Sequence, residues 1–107
     1  IIPKSAPTVT GFFGGDEVEL RSAATLIHPG SGRRLDVATD QPGLQVYAAN
    51  SLSRGSQGRW KDHSGICLET QGYPDAPNHP EFPSIQLERG QTSIQRTQLT
   101  FSVIDQL

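Results

Sequence analysis

The chain has 107 residues, 34 % of them hydrophobic, and carries 9 Lys+Arg against 11 Asp+Glu for a formal net charge of −2. That length suits one small domain over residues 1–107, and the low apolar share predicts a thin core that leans on a partner surface or a second copy of the chain. No run of one sign is present to draw a nucleic acid or an anionic membrane, and no apolar stretch reaches membrane-spanning length.

Cys67 is the single cysteine, so no intrachain disulfide can form. This fits a reducing compartment, and with no signal-peptide pattern the expected location is cytoplasmic. The chain opens on Ile1-Ile2-Pro3 without a methionine, which points to a natural start further upstream. Residues 1–10 hold two prolines and read as an extended arm. Gly11 to Asp16 reads as a glycine-rich turn, with Gly14 and Gly15 free to take backbone angles other residues resist.

For Glu17 to His28 a helix, favoured by its Ala and Leu, competes with a long strand. The alternation of Val18 and Leu20 with Glu17, Glu19 and Arg21 favours the strand, with Val18, Leu20, Ser22, Ala24 and Leu26 expected on one face. His28-Pro29-Gly30-Ser31-Gly32 is a turn, and Arg33 to Thr39 returns as the second strand of a hairpin. Asp40 to Gly43 turns the chain into a strand over Leu44–Ala49, with Gln45 and Tyr47 on one side and Leu44, Val46 and Ala48 on the other. Asn50 to Asp62 is a polar loop. His63 to Gln71 opens as a strand whose Ile66, Leu68 and Thr70 oppose Cys67, Glu69 and Gln71. A turn stiffened by Pro74, Pro77, Pro80 and Pro83 follows. Ser84 to Leu87 is short and extended, Glu88 to Gln91 turns, and Thr92 to Ile104 is a last strand with Gln95, Thr97, Leu99, Phe101 and Val103 together. Strands, tight turns and no convincing helix predict an all-β antiparallel sandwich.

A carboxylate, a carboxamide and a thiol on one face of the strand ending at Gln71, beside a rigid polar loop, have the look of a site wall. Taken alone, each group also has a plain role. His63 suits a structural hydrogen bond, His79 an exposed loop position and His28 its turn. No pair of these histidines has metal-ligand spacing. Cys67 suits a small packed side chain, since no activating base accompanies it. Tyr47 and Trp60 could stack on the apolar face of a ligand or pack in the core.

Three stretches resemble the aldose 1-epimerase family, also called galactose mutarotases. Asp40 to Asn50 is similar to its "P-G-x-Q-x-Y-x-x-N" segment. His63-Ser64-Gly65-Ile66-Cys67-Leu68-Glu69-Thr70-Gln71 is similar to "H-S-G-x-x-L-E-T-Q", and Pro74 to Ser84 to "P-D-A-P-N-x-P-x-F-P-S". Leu20 to Gly32 and the tail from Gly90 to Ser102 match less sharply. The resemblance covers most of this chain but only the C-terminal third of the family's length. It implies part of a large antiparallel β-sandwich that interconverts the α and β anomers of free aldoses, with no metal or cofactor.

By that resemblance Glu69 is the catalytic general base and Gln45 helps hold a monosaccharide of the aldohexose type. The family's general acid is a histidine well upstream, as are a second histidine, an arginine and an aspartate that bind the sugar. Those motifs do not occur in this sequence, and Thr8 to Phe13 has no Asp-His pair. The chain would therefore supply a base without its acid, so turnover would need further segments or a second chain. Partial burial against apolar neighbours would make Glu69 a stronger base. The alternative is a carbohydrate-binding or self-associating β module without turnover. A homo-oligomer is expected on either reading, to cover sheet edges left without partners.

Overall fold

The computed structural model describes residues 8–13 and 16–105. Strands dominate: β1 (Thr8–Phe13), β2 (Asp16–His28), β3 (Arg33–Thr39), β4 (Gly43–Tyr47), β5 (Cys67–Gln71) and β6 (Thr97–Val103). They form a four-stranded sheet ordered β1-β2-β3-β6 and a two-stranded sheet β4-β5, with every pairing antiparallel. The all-β antiparallel class read from the sequence is the one observed.

The β2–β3 hairpin is closed by the carbonyl of His28, which accepts from the N–H groups of Ser31 (3.2 Å) and Gly32 (2.9 Å). Gly32 turns with φ +68°, and any Cβ there would collide with the Ile104 carbonyl. The same glycine's carbonyl accepts from Ile104 N–H at 2.9 Å, which ties the end of β6 to the hairpin.

Several expected boundaries move. Thr8 to Thr10 belong to β1 rather than to an arm, because Thr8–Phe13 pairs residue by residue with Arg21–Asp16. The turn expected over Gly11–Asp16 yields Gly11 to Phe13 to the same strand; Gly14 and Gly15, and residues 1–7 of the expected arm, lie outside the described residues. The single face expected along β2 is broken. Ser22 pairs with Ala38 but Ala24 pairs with Val37, so Ala23 is the extra residue of a β-bulge. Leu20 and Ser22 share a face with Ala38, whereas Ala24 and Leu26 share the other with Val37 and Leu35. Two short helical turns also interrupt the loops, α1 (Leu52–Gly55) and a 3₁₀ turn at Ala76–Asn78. The last strand starts at Thr97 rather than Thr92, where pairing with Thr39 begins.

Among the described residues the buried apolar side chains are Leu20, Val37, Ala38, Ala49 and Ala76, three of them alanine, with Thr39 also fully buried. The thin core expected from composition is thus present. The chain's surface is correspondingly large, 8179 Å² against about 5,800 Å² for a compact folded chain of this size. The radius of gyration is 16.7 Å, where about 13 Å is usual.

A file of threonines joins the two sheets. The Thr39 hydroxyl donates to the Arg96 carbonyl at 2.7 Å and accepts from Gln41 N–H at 3.2 Å. Its one hydrogen is thereby committed, so it accepts from Thr97 Oγ1 at 3.3 Å, and Thr97 in turn accepts from Thr70 Oγ1 at 2.6 Å. This relay fixes which face of β5 looks toward the four-stranded sheet. Asp40 reinforces the junction: its Oδ1 accepts from Arg96 N–H at 3.0 Å and its N–H donates to the Arg96 carbonyl at 3.2 Å.

Candidate functional site

Gln45 and Glu69 stand 24 residues apart in the chain and directly opposite each other in the β4–β5 ladder. Cross-strand partners project to the same face with Cβ atoms about 5 Å apart. Tyr47 lies opposite Cys67 and Gly43 opposite Gln71, so this face carries a phenol, a carboxamide, a thiol and a carboxylate in two adjacent rows. The alternate face carries Leu44 opposite Thr70 and Val46 opposite Leu68. Because Thr70 is the residue bonded to Thr97, the Gln45–Glu69 face is turned away from the four-stranded sheet.

Glu69 is exposed, as are Gln45 and Cys67. One expectation is corrected here: Cys67 is not a packed core thiol. Glu69 likewise lacks the partial burial that would strengthen it as a base. The cause is the same for both: alternation places them on a face that no other described element covers. The Gln45 amide donates only to the Val46 carbonyl, at 3.5 Å, so its side chain is not committed to a strong internal bond. Trp60 is exposed at 57 % and Tyr47 at 40 %, so neither serves as core. The Tyr47 hydroxyl accepts from Ser51 N–H at 3.3 Å.

The three histidines take structural posts. His63 clasps the neck of the Asn50–Asp62 loop: its N–H donates to the Ala49 carbonyl and its Nδ1–H to the Ala48 carbonyl, each at 2.9 Å. Both ends of that neck are left-handed, with φ 55° at Ala49 and 61° at His63. Inside the loop, Asp62 accepts from Ser53 N–H at 2.8 Å, and that bond holds its carboxyl below the usual carboxylate range. His28 bonds Ser31 Oγ at 2.8 Å within its turn. His79 is half-buried rather than fully exposed. It stacks on Phe82 with centroids 4.6 Å apart and sits between Asp75 Oδ2 and Glu81 Oε1, both 3.2 Å away. Asp75 itself turns with φ 60° and accepts from the Asn78 amide. The proline-rich loop is therefore rigid for reasons beyond its prolines. Among the described residues no cluster of His, Cys, Asp and Glu has the geometry to hold a metal ion. No helix among them is long and apolar enough to cross a membrane.

Two open clefts accompany these elements. One, of about 630 Å³, lies between the sheets and is lined by Leu26, His28, Leu35, His63, Ile66 and Phe101 among others. The other, of about 680 Å³, runs along the proline-rich loop past His79, Phe82 and Ile85. Neither is lined by Gln45 or Glu69. The pairing of those two side chains was not readable from spacing alone. The signal that points to it is the shared alternation, since each lies on the polar side of its own strand.

The aldose 1-epimerase family model matches residues 9–100. Galactose mutarotase from Bos taurus is 45 % identical over 89 residues, covering 79 % of this chain and 26 % of that protein. The Homo sapiens galactose mutarotase is 43 % identical over the same length and shares. Aldose 1-epimerase from Haemophilus influenzae is 48 % identical over 61 residues, 53 % of this chain and 18 % of that one. This chain thus spans about a quarter of the length of the mutarotases it matches. No solved structure matches it. With its three motifs falling inside a family match that covers most of its length, the chain belongs to the aldose 1-epimerase family.

Proposed function

We propose that this chain forms the C-terminal part of an aldose 1-epimerase sandwich and contributes the base side of its sugar site. The reaction is the interconversion of α and β anomers of a free aldose of the galactose or glucose type. Glu69 takes the proton of the anomeric hydroxyl while an acid protonates the ring oxygen. The C1–O5 bond breaks to give the open-chain aldehyde, the C1–C2 bond rotates, and closure on the other carbonyl face returns both protons. Gln45 holds the sugar beside Glu69. The observation that carries this reading is the direct cross-strand pairing of Gln45 with Glu69, the family's sugar-holding amide and its base. A mid-strand position suits a base because the ladder fixes the direction of its side chain.

The acid comes from a polypeptide segment outside residues 1–107, or from a second chain. Positioned acid–base groups are worth on the order of 10²–10⁴-fold, and one carboxylate alone retains only part of that. Polarimetry on fresh α-galactose or α-glucose tests the reading. The expected result is an anomerisation rate above buffer that drops with Glu69→Gln. A rate equal to buffer, or one unchanged by that substitution, would sink the enzymatic version.

The second reading is a cytoplasmic β module that binds sugar or self-associates without turnover. The exposed face around Glu69 and the accessible surface of 8179 Å² favour it. It expects saturable sugar quenching of Trp60 fluorescence with no anomerisation, and a homo-oligomer in solution. A flat titration counts against the sugar-binding half, and a monomeric mass against the other.

A further inference from the structure

The outer edge of β6 is an unusual surface. The carbonyl of Arg96 accepts from Asp40 and the N–H of Ile104 donates to Gly32. Both groups point toward β3. Backbone direction alternates along a strand, so Gln98, Thr100 and Ser102 also face β3. The N–H and C=O groups of Thr97, Leu99, Phe101 and Val103 then face outward, and among the described residues no strand pairs with them. The strand reads Thr-Gln-Leu-Thr-Phe-Ser-Val, with no charge, proline or glycine. Edge strands ordinarily carry such residues to block pairing. The side chains of Leu99, Phe101 and Val103 are 51 %, 74 % and 68 % exposed and share one face.

We propose that a second copy of this chain pairs antiparallel along this edge, about a two-fold axis through Thr100. The sequence is self-complementary in that register and in its hydrogen-bonding phase. Leu99 meets the partner's Phe101 and Thr97 meets the partner's Val103, each as a hydrogen-bonded pair built from outward-facing groups. A two-fold axis normal to the sheet keeps both apolar stripes on one face, so Leu99 and Phe101 cover the partner's Phe101 and Leu99. No charge on either strand opposes the contact. The result is a continuous sheet running through both copies, an isologous interface that closes on itself and leaves no β6 edge to propagate. Phe101 also lines the cleft between the sheets, so the interface roofs one end of that cleft.

This inference rests on the self-association half of the reading above and is independent of sugar chemistry. The two-fold position gives a sharp test. Thr100 faces the partner's Thr100 as a non-hydrogen-bonded pair with Cα atoms about 4.5 Å apart, within disulfide reach. Gln98 lies opposite the partner's Ser102, which puts its own twin about 13 Å away at strand rise. In a Cys67→Ser background, Thr100→Cys is expected to give a covalent dimer under mild oxidation while Gln98→Cys stays uncrosslinked. Light scattering of the full chain is expected at twice 11.6 kDa, and Leu99→Pro, which deletes an outward N–H that β3 does not use, is expected to return it to the monomer with far-UV circular dichroism unchanged. A monomeric mass for the unsubstituted chain would overturn both the self-association and this interface, leaving the edge to further segments of a longer polypeptide. A dimer in which Thr100→Cys fails to crosslink, in which Gln98→Cys crosslinks as readily, or which survives Leu99→Pro would overturn this interface alone.

Discussion

In the four-stranded sheet, β3 has a neighbour on each side and buries Val37, Ala38 and Thr39. In the β4–β5 pair, neither strand has an outer neighbour among the described residues, and Gln45, Val46, Tyr47, Cys67 and Glu69 are all exposed. The pairing chemistry is the same, but two strands by themselves bury too little to be stable. The small sheet therefore depends on the large one, and the link is a line of hydroxyls rather than a thick apolar seam. Stability resides in one region and the exposed Gln45–Glu69 pair in the other. Removing water from a carboxylate costs free energy, and this chain avoids that cost by leaving Glu69 on an open face.

That division can be attacked from the large sheet first. Leu20→Ala removes the largest buried aliphatic side chain of the core, 1 % exposed, and should cost about 2–5 kcal/mol. Urea unfolding measures it, and a chain with so few buried residues is expected to be largely unfolded by the change. Thr97→Val comes next. It keeps the shape but deletes the middle of the hydroxyl relay, leaving Thr39 and Thr70 each short of a partner, and should cost roughly 1–3 kcal/mol. Hydrogen exchange gives the sharper readout: amides of β4 and β5 should lose protection while β2 and β3 keep theirs. Equal loss in both sheets would break the comparison.

Acid offers a gentler probe of the large sheet. Asp36 accepts from Arg34 Nε at 2.7 Å, from Arg34 Nη2 at 2.8 Å and from Thr25 Oγ1 at 2.6 Å. The Arg34 hydrogen bonds, then the Thr25 one, hold its carboxyl below the ordinary value of 3.8. A carboxylate lowered in the folded state contributes stability that is present above its unfolded pKa and lost as pH falls through the folded one. A small fall in melting temperature is therefore expected below about pH 3.8, and Asp36→Asn should flatten that part of the profile. The effect is modest because the groups are at the surface. The smallest effect belongs to Glu69→Gln, expected to move stability by less than about 0.5 kcal/mol because the side chain is exposed. A large destabilisation there would show that Glu69 supports the fold, contrary to the division drawn between the sheets.

How far the sequence foretells these features follows from which forces are local. Arg33–Thr39 was readable to the residue, because a turn of Pro, Gly and Ser precedes it and Asp-Gln-Pro-Gly follows it. β1 was not, since Thr8–Phe13 holds a glycine and becomes a strand only through its partner β2. The bulge at Ala23 was equally hidden, as it depends on two residues opposing one across the hairpin. On the site, the motifs singled out Gln45 and Glu69, and alternation placed each on the polar side of its strand. Their adjacency depends on the register of β4 against β5, which is set across a loop clasped by His63 and not by any short turn. The exposure of Cys67 is not legible in the sequence for a related reason. A strand's alternation tells which residues share a face but not whether anything covers it.

Cys67 has a practical consequence. It is the only thiol in the chain, it is exposed, and it sits two positions from Glu69 on the same side of β5, about 7 Å along the strand. A maleimide dye added to the unaltered protein would attach at one place, on the face that carries the carboxylate. Its emission and its rate of attachment would then report whatever approaches that face, whether a sugar or a second protein surface, without a single substitution having been introduced.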